Sequence, residues 1–321
     1  MNRQPIIIVA GEPNSIFLEI LFKSLGKKRF KSPLIIVASK KLVLEQMKKL
    51  GYSFKVNIIH KNIKNFYELN NKKINLINVD YKFNKCFENI TAKSNSYINK
   101  CFNIALEILI KNKFTKFING PISKKYFLNG TSLGITEYLA KKVKIKNDFA
   151  MLIFNKKLSV SPLTTHLALK YVNKNISQKK ICNHVKLISK FYEKNFMKKP
   201  KIAITGLNPH CESNFKNSEE DQYIRPAIRT LIKKNYKVKG PFAADTIFMK
   251  RQSKNYDVII GMYHDQVLTP IKSLFGFNAI NITLGLPFTR ISPDHGPNYS
   301  MLGKNLSDPK SLIEALKFLD K

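Results

Sequence analysis

The sequence predicts an α/β protein, with helices layered on a largely parallel sheet, in a chain of 321 residues that has room for two domains or one large one. Two observations carry that prediction. Short apolar runs of strand length alternate with amphipathic stretches of helical period along most of the chain. Several of those runs also end in polar clusters, at the position where open α/β sheets bind their ligands.

Taken in order, Ile6–Ala10 reads as a strand, and Ser15–Leu25 as a helix with Phe17, Ile20, Leu21 and Leu25 on one face. Leu34–Ala38 is a second strand. Residues 55 to 95 are rich in Asn and Lys, weakly patterned, and read as a loop-rich excursion with short strands. Ile98–Lys111 reads as a longer helix and Phe114–Ile118 as a strand. Ala150–Phe154 and Leu158–Ser161 are short strands, and Ile181–Phe196 is helical. Ile202–Thr205 is a strand, Glu219–Lys234 a helix, and Val258–Ile260 and Ala279–Thr283 are strands. Ser307-Asp308-Pro309 opens a last helix, with Asp308 as N-cap and Pro309 in the first turn. No internal repeat and no long low-complexity linker interrupts this order.

Hydrophobic residues make up 44% of the chain, enough for a sizeable core. The apolar run near the start, Ile6 to Ala10, is too short for a signal peptide, and no stretch approaches the ~18 apolar residues of a membrane span. The reading is a cytoplasmic protein with no membrane contact. Its four scattered cysteines, Cys86, Cys101, Cys182 and Cys211, form no CxxC pair and read as reduced and mostly buried. The net charge of +35 invites a nucleic-acid reading. Only six of the 56 basic residues are Arg, however, and the lysines run along the whole length among Asn and Ile. Nucleic-acid readers lean on the arginine fork. The charge therefore reads as compositional bias on solvated faces, and nucleic-acid binding is a distant alternative.

Local nucleotide motifs are absent. No two glycines are separated by one residue and none stand five apart, so neither GxGxxG nor a Walker A loop is present; HExxH is missing too.

The polar clusters remain. Three histidines end strand-like runs: His166 in Thr164-Thr165-His166, His210 in Asn208-Pro209-His210, and His264 in Tyr263-His264-Asp265. Three such imidazoles suit a catalytic metal that keeps an open position. The competing reading is a hydrogen-bonded histidine at the end of each core element. Asp245 and Asp265 are candidates to orient an imidazole, bind metal or move a proton, and a helix N-cap is an equal reading for Asp245. Asn281 interrupts an apolar strand and needs partners if buried. Arg290 follows Gly285-Leu286-Pro287 and suits carboxylate or phosphate. Lys272 by itself reads as a solvated lysine. His184, on a helix, reads as structural.

Together these residues fall in segments that resemble one family. AGEP (10–13), NGPISK (119–124), Gly134-Ile135-Thr136-Glu137-Tyr138-Leu139-Ala140, TTHLAL (164–169), GLNPH (206–210) with Glu219-Glu220, GPFAADTIF (240–248), MYHDQ (262–266), GFNAINITLGLPFTR (276–290) and DHG (294–296) run in family order over nearly the whole chain. The chain resembles the 4-hydroxythreonine-4-phosphate dehydrogenases, the PdxA family of vitamin B6 biosynthesis.

The resemblance implies two α/β/α domains with a cleft between them, like isocitrate and isopropylmalate dehydrogenases. It places residues 1–125 with 295–321 in the first domain and 126–294 in the second. It implies a metal-dependent oxidation of 4-phosphooxy-L-threonine at its C3 hydroxyl by NAD or NADP, followed by decarboxylation to 3-amino-2-oxopropyl phosphate. A divalent ion (Zn, Mg or Co) suits this chemistry, because it lowers the hydroxyl pKa and steadies the negative charge that decarboxylation leaves. By position His166, His210 and His264 match the metal ligands. Thr136, Lys272, Asn281 and Arg290 match substrate-binding positions. Asp245, Asp265 and Lys272 are cast as catalytic, and Asn281 and Asp294 as cofactor contacts. The resemblance also implies a homodimer whose active site takes residues, metal ligands included, from both subunits.

The chain departs from the family at four places. Ile135 stands where the family has histidine, and isoleucine donates no hydrogen bond, so one substrate contact is lost or supplied elsewhere. The turn after His210 is one residue shorter and lacks the usual glycines. Residues 12–17 also lack expected glycines, and Pro297 replaces a threonine. Ile135 keeps a sister activity open, on 4-phospho-D-threonate or 4-phospho-D-erythronate.

Overall fold

The run Ile6–Val9 forms β1, buried along its whole length as a strand covered on both faces must be. The chain then builds α1 (Phe17–Lys27), β2 (Leu34–Ala38), α2 (Lys40–Lys49), β3 (Val56–Ile58), β4 (Ile74–Asn78), α3 (Asn95–Lys111) and β5 (Lys116–Asn119). It continues through α4 (Ile135–Lys142), β6 (Ala150–Phe154), β7 (Ser159–Pro162), α5 (Gln178–Phe196), β8 (Ile202–Thr205), α6 (Arg225–Lys233), β9 (Val238–Phe242), α7 (Lys250–Ser253), β10 (Val258–Gly261), α8 (His264–Phe275) and β11 (Ile280–Leu284). It ends with β12 (Thr289–Pro293) and α9 (Lys310–Leu319). This computed structural model describes residues 3–130, 132–145, 149–212, 217–276 and 279–321. The chain divides into two units, Met1–Ile135 with Pro287–Lys321, and Thr136–Leu286.

In the first unit the strand order is β3-β4-β2-β1-β5-β12, every neighbouring pair parallel. The turns after β1 and β5 approach so closely that a Cβ on Gly120 would lie 2.2 Å from the Ala10 carbonyl oxygen and 2.7 Å from the Phe17 ring. The loop after β1 packs by side-chain bonds where glycines were expected. Ser15 Oγ donates to the Glu12 carbonyl at 2.7 Å, and Asn14 Oδ1 accepts from the Glu88 amide at 3.1 Å. Two departures from the family meet here, the Ile16 amide donating to the Pro297 carbonyl. The last helix begins one residue later than expected, at Lys310 with Pro309 in the N-cap position, and Asp308 Oδ1 accepts from the Lys310 amide at 2.9 Å just ahead of it.

In the second unit the order is β11-β6-β7-β10-β8-β9. β7, β10, β8 and β9 are parallel, whereas β6 is antiparallel to both its neighbours. Only four residues separate β6 from β7, enough for a hairpin but far too few for a parallel crossover. The core on this sheet includes Met151, Ile153, Val160, Ala203, Ile259, Val267 and Ile271. Expected helix Glu219–Lys234 is broken: residues Glu220–Ile224 form a wider π-helical turn ahead of α6, with Glu220 fully buried. His184 is structural, as read: on α5 it is buried, with Nε2 2.6 Å from Ser161 Oγ. That hydroxyl donates to the Met151 carbonyl at 2.5 Å, so it accepts from His184 Nε2–H. Among the described residues no helix is long and apolar enough to cross a membrane.

Candidate metal centre

Three neighbouring parallel strands, β7, β10 and β8, point their C-terminal ends the same way, and each leads to one of the three histidines. Backbone bonds extend the β7–β10 pairing beyond the sheet. The Leu163 amide donates to Gly261 O at 2.7 Å, and Thr164 donates to Met262 O through its amide at 3.2 Å and its hydroxyl at 2.7 Å. The two chains leave side by side, which brings the His166 and His264 rings to 5.5 Å between centroids. Two imidazoles sharing a tetrahedral zinc at Zn–N distances of ~2.0–2.1 Å would have centroids about 5 Å apart. The pair therefore fits two ligands of one divalent ion.

The polar trio after β10 turns out to be the first turn of α8. His264 Nδ1 lies 2.6 Å from Asp265 Oδ1, which leaves Nε2 to face a metal, the usual role of a carboxylate behind a ligand histidine. Gln266 faces inward. Its Oε1 accepts from the Met262 amide at 2.7 Å and from Thr205 Oγ1 at 2.9 Å, and its Nε2 donates to Gly206 O at 2.8 Å. One amide thus ties the end of β10 to the end of β8. Gly261 makes room for it, since a Cβ there would sit 2.5 Å from Val267 Cγ1 and 3.0 Å from Gln266 Oε1.

β8 leads into a loop held by Glu220. Its Oε1 accepts from the amides of Leu207 and Asn208 at 2.7 and 2.9 Å, and its Oε2 from Asn208 Nδ2 at 2.8 Å. Burial pushes the Glu220 carboxyl up, but these hydrogen bonds outweigh it and hold the group below its ordinary value. Beyond the held segment, His210 and Cys211 both adopt left-handed backbone, with φ of 54° and 61°, and the His210 side chain is exposed. No group of three or more His, Cys, Asp or Glu is placed to hold a metal among the described residues. Two of the three expected ligands are brought together in this chain, and the third is not brought to them. Residues 213–216 of the shortened turn after His210 lie outside the described residues.

The other expected residues are distributed as follows. Thr136, in the first turn of α4, is buried, with Oγ1 3.2 Å from Thr283 Oγ1 on β11. Asn281, two residues back along β11, donates to Met151 Sδ at 3.4 Å, and its buried Oδ1 has no hydrogen-bond partner among the described residues. Lys272 is exposed on α8, about 12 Å along the axis from His264. Asp245 is exposed in the turn after β9 and caps no helix, as the short α7 begins after Met249. It lies close enough to the His210 loop to act on the Cys211 thiol, which burial first of all, with Glu220 and Asp245 adding, pushes up. Arg290, on β12 in the first unit, is fully buried and donates through Nε to Asn119 Oδ1 at 2.7 Å. Asp294 follows β12, its amide donating to Ser311 Oγ at 2.8 Å.

Two residues that shape the centre had no role in the sequence reading. Glu220 and Gln266 stood inside matching segments, yet neither spacing nor composition says that a carboxylate or an amide there will turn inward to hold a strand end.

Residues 29–319 match the family described as pyridoxal phosphate biosynthetic protein PdxA. A 4-hydroxythreonine-4-phosphate dehydrogenase of a Sulfurihydrogenibium species is 37% identical over 317 residues, 97% of this chain and 96% of that protein. A protein of Oceanobacillus iheyensis named for D-threonate 4-phosphate dehydrogenase activity is 30% identical over 324 residues, 98% of this chain and 97% of its own length. The crystal structure of 4-hydroxythreonine-4-phosphate dehydrogenase from Klebsiella pneumoniae matches with a TM-score of 0.83 at 26% identity, covering 99% of this chain and 97% of that one. Isocitrate dehydrogenase from Methylococcus capsulatus matches with a TM-score of 0.52 at 10% identity, over 97% of this chain and 83% of that one. That likeness concerns the fold alone, and it bears out the expected isocitrate dehydrogenase-like α/β class.

Proposed function

The chain belongs to the PdxA family, and from that premise we propose that it oxidises 4-phosphooxy-L-threonine at the C3 hydroxyl with NAD or NADP, the product then losing CO2 to give 3-amino-2-oxopropyl phosphate in pyridoxal 5'-phosphate biosynthesis. The observation that carries the reading is the His166–His264 pair, 5.5 Å apart at the ends of adjacent parallel strands.

A divalent ion (Zn, Mg or Co) and nicotinamide would supply Lewis-acid and hydride-acceptor chemistry when bound. The chain supplies the rest. His166 and His264 hold the ion, and Asp265 keeps His264 in the tautomer that offers Nε2. Thr136, Lys272, Asn281 and Arg290 hold the phosphate, carboxylate and hydroxyl groups of the substrate, charged side chains taking the anionic ends. Asn281 and Asp294 contact the cofactor, and Asp245 and Lys272 move protons. His210, exposed and apart from the pair, supports a homodimer in which a second copy completes each metal centre. The reading places the enzyme in the cytoplasm.

A second reading rests on Ile135 and on the Oceanobacillus relative: a dehydrogenase of 4-phospho-D-threonate or 4-phospho-D-erythronate. One experiment separates the two. The chelator-stripped protein is given Zn, Mg, Mn or Co in turn, and NADH formation is followed with each of the three substrates. Metal-restored turnover of 4-phosphooxy-L-threonine alone supports the first reading. Turnover of a D-configured substrate alone replaces it with the second. No turnover of any substrate by metal-loaded protein overturns both.

A further inference from the structure

We propose that Glu137 is a positioning residue for the histidine pair, acting through Thr165. The inference deepens the metal reading above and rests on it. Glu137 sits in the first turn of α4, beside Thr136, and its Oε1 accepts from Thr165 Oγ1 at 2.9 Å. Thr165 immediately precedes His166. Thr164, one residue earlier, is tied to Met262 O by both its amide and its hydroxyl. The segment that delivers His166 is therefore fixed at two consecutive hydroxyls, one bonded to the end of β10 and the other to α4. Thr164 sets the segment against the His264 strand. Thr165 sets it against a separate element, and the two together restrain the swing of the His166 backbone.

A carboxylate is more than this anchoring needs. A glutamine would hold the Thr165 hydroxyl equally well and would bury no charge. Glu137 Oε2 is nonetheless buried, with no hydrogen-bond partner among the described residues. Such a half-satisfied carboxylate costs stability unless a cation or donor offsets it. A divalent ion held by the adjacent histidine provides that positive charge. Glu137 thus serves the centre in two separable ways, as the anchor of Thr165 and as negative charge behind the ion.

Four variants separate these contributions: Glu137→Gln keeps the bond and removes the charge, Thr165→Val removes the bond and keeps the charge, Glu137→Ala removes both, and Thr165→Ser restores the hydroxyl. Co2+ binding to the full-length apoprotein is read from its visible absorption and by competition with a chelating dye, with thermal unfolding alongside. Glu137→Ala is expected to weaken Co2+ binding ~10- to 100-fold, the range for partners of a ligand histidine. Glu137→Gln and Thr165→Val are each expected to weaken it several-fold, and Thr165→Ser to match the wild type. Weakening in the folded variants supports the proposal. Co2+ affinity within twofold of wild type in Glu137→Gln, Glu137→Ala and Thr165→Val, with His166→Ala strongly impaired, overturns the proposal and leaves the metal reading standing. Equal Co2+ binding by wild type and His166→Ala overturns the metal reading, and this proposal with it.

Discussion

Replacing Glu220 by glutamine keeps the shape of a buried side chain and removes its charge. Three N–H groups converge on the carboxylate, from Leu207 and Asn208 on Oε1 and from the Asn208 side chain on Oε2. The glutamine oxygen can keep the two backbone donors, but its NH2 then faces the Asn208 NH2, donor against donor. Turning the Asn208 amide over cures that clash and gives up its bond to Glu219 Oε2 at 3.0 Å. A bond to a charged group contributes about 1.5–3 kcal/mol and a neutral one about 1 kcal/mol. Three bonds weaken and one is lost, while burying an amide in place of a carboxylate offsets part of the loss. The net expectation is a destabilisation of about 2–3 kcal/mol at neutral pH. The folded state holds the Glu220 carboxyl below its ordinary value. Its stabilisation is therefore present above the unfolded-state pKa and is lost as pH falls through the lower folded pKa. Urea midpoints of wild type and Glu220→Gln should differ clearly at neutral pH and converge in acid. Equal midpoints at neutral pH, or a gap that persists in acid, would refute the reasoning.

Three further outcomes follow from the structure. Burial, with the Lys180 charge adding, lowers the His184 pKa from 6.5 to about 3; the unfolded chain binds the extra proton first, so stability falls as pH drops from about 6.5 towards 3, by about 2 kcal/mol at pH 5. Urea unfolding of His184→Gln across that range should show a shallower decline than wild type. Gly120→Ala places a methyl group 2.2 Å from the Ala10 carbonyl oxygen, a backbone atom that cannot yield cheaply; thermal unfolding should show a loss of about 2–3 kcal/mol or a failure to fold. If a second copy supplies His210, then His210→Ala and His264→Ala, each inactive alone, should regain NADH formation when unfolded together and co-refolded, and no recovery would place all three histidines in one chain.

The parts of the fold legible in the sequence were those whose signal is local. Runs such as Ile6–Val9 and Leu34–Ala38 name themselves because both faces are buried. Helix α2 is not legible although Ser39 caps it, because its apolar positions Leu42, Val43 and Met47 stand among four lysines that blur the period. The short strands expected within residues 55 to 95 are β3 and β4, but their bounds are not legible, because β3 is only three residues long and partly buried. The antiparallel pairing of β6 with β7 was within reach, since the few residues after Phe154 are too short for a parallel crossover, but its antiparallel pairing with β11 depends on contacts between distant segments. At the centre, the three histidines were legible as strand-terminal polar residues. The inward turns of Glu220, Gln266 and Glu137 were not, because each side chain finds partners at the end of a strand distant from it in sequence. Their roles depend on tertiary pairing, which periodicity does not encode.

The bonding of Thr164 to Met262 bears on how freely this chain can change. Part of what sets the interval between the two imidazoles is main-chain bonding, Leu163 to Gly261 and Thr164 to Met262, beside the two threonine hydroxyls. Backbone amides and carbonyls survive almost any substitution short of proline. A composition rich in lysine and asparagine can therefore spread over the solvated faces without disturbing that interval. The interval between His166 and His264 therefore rests first on the pairing of β7 and β10.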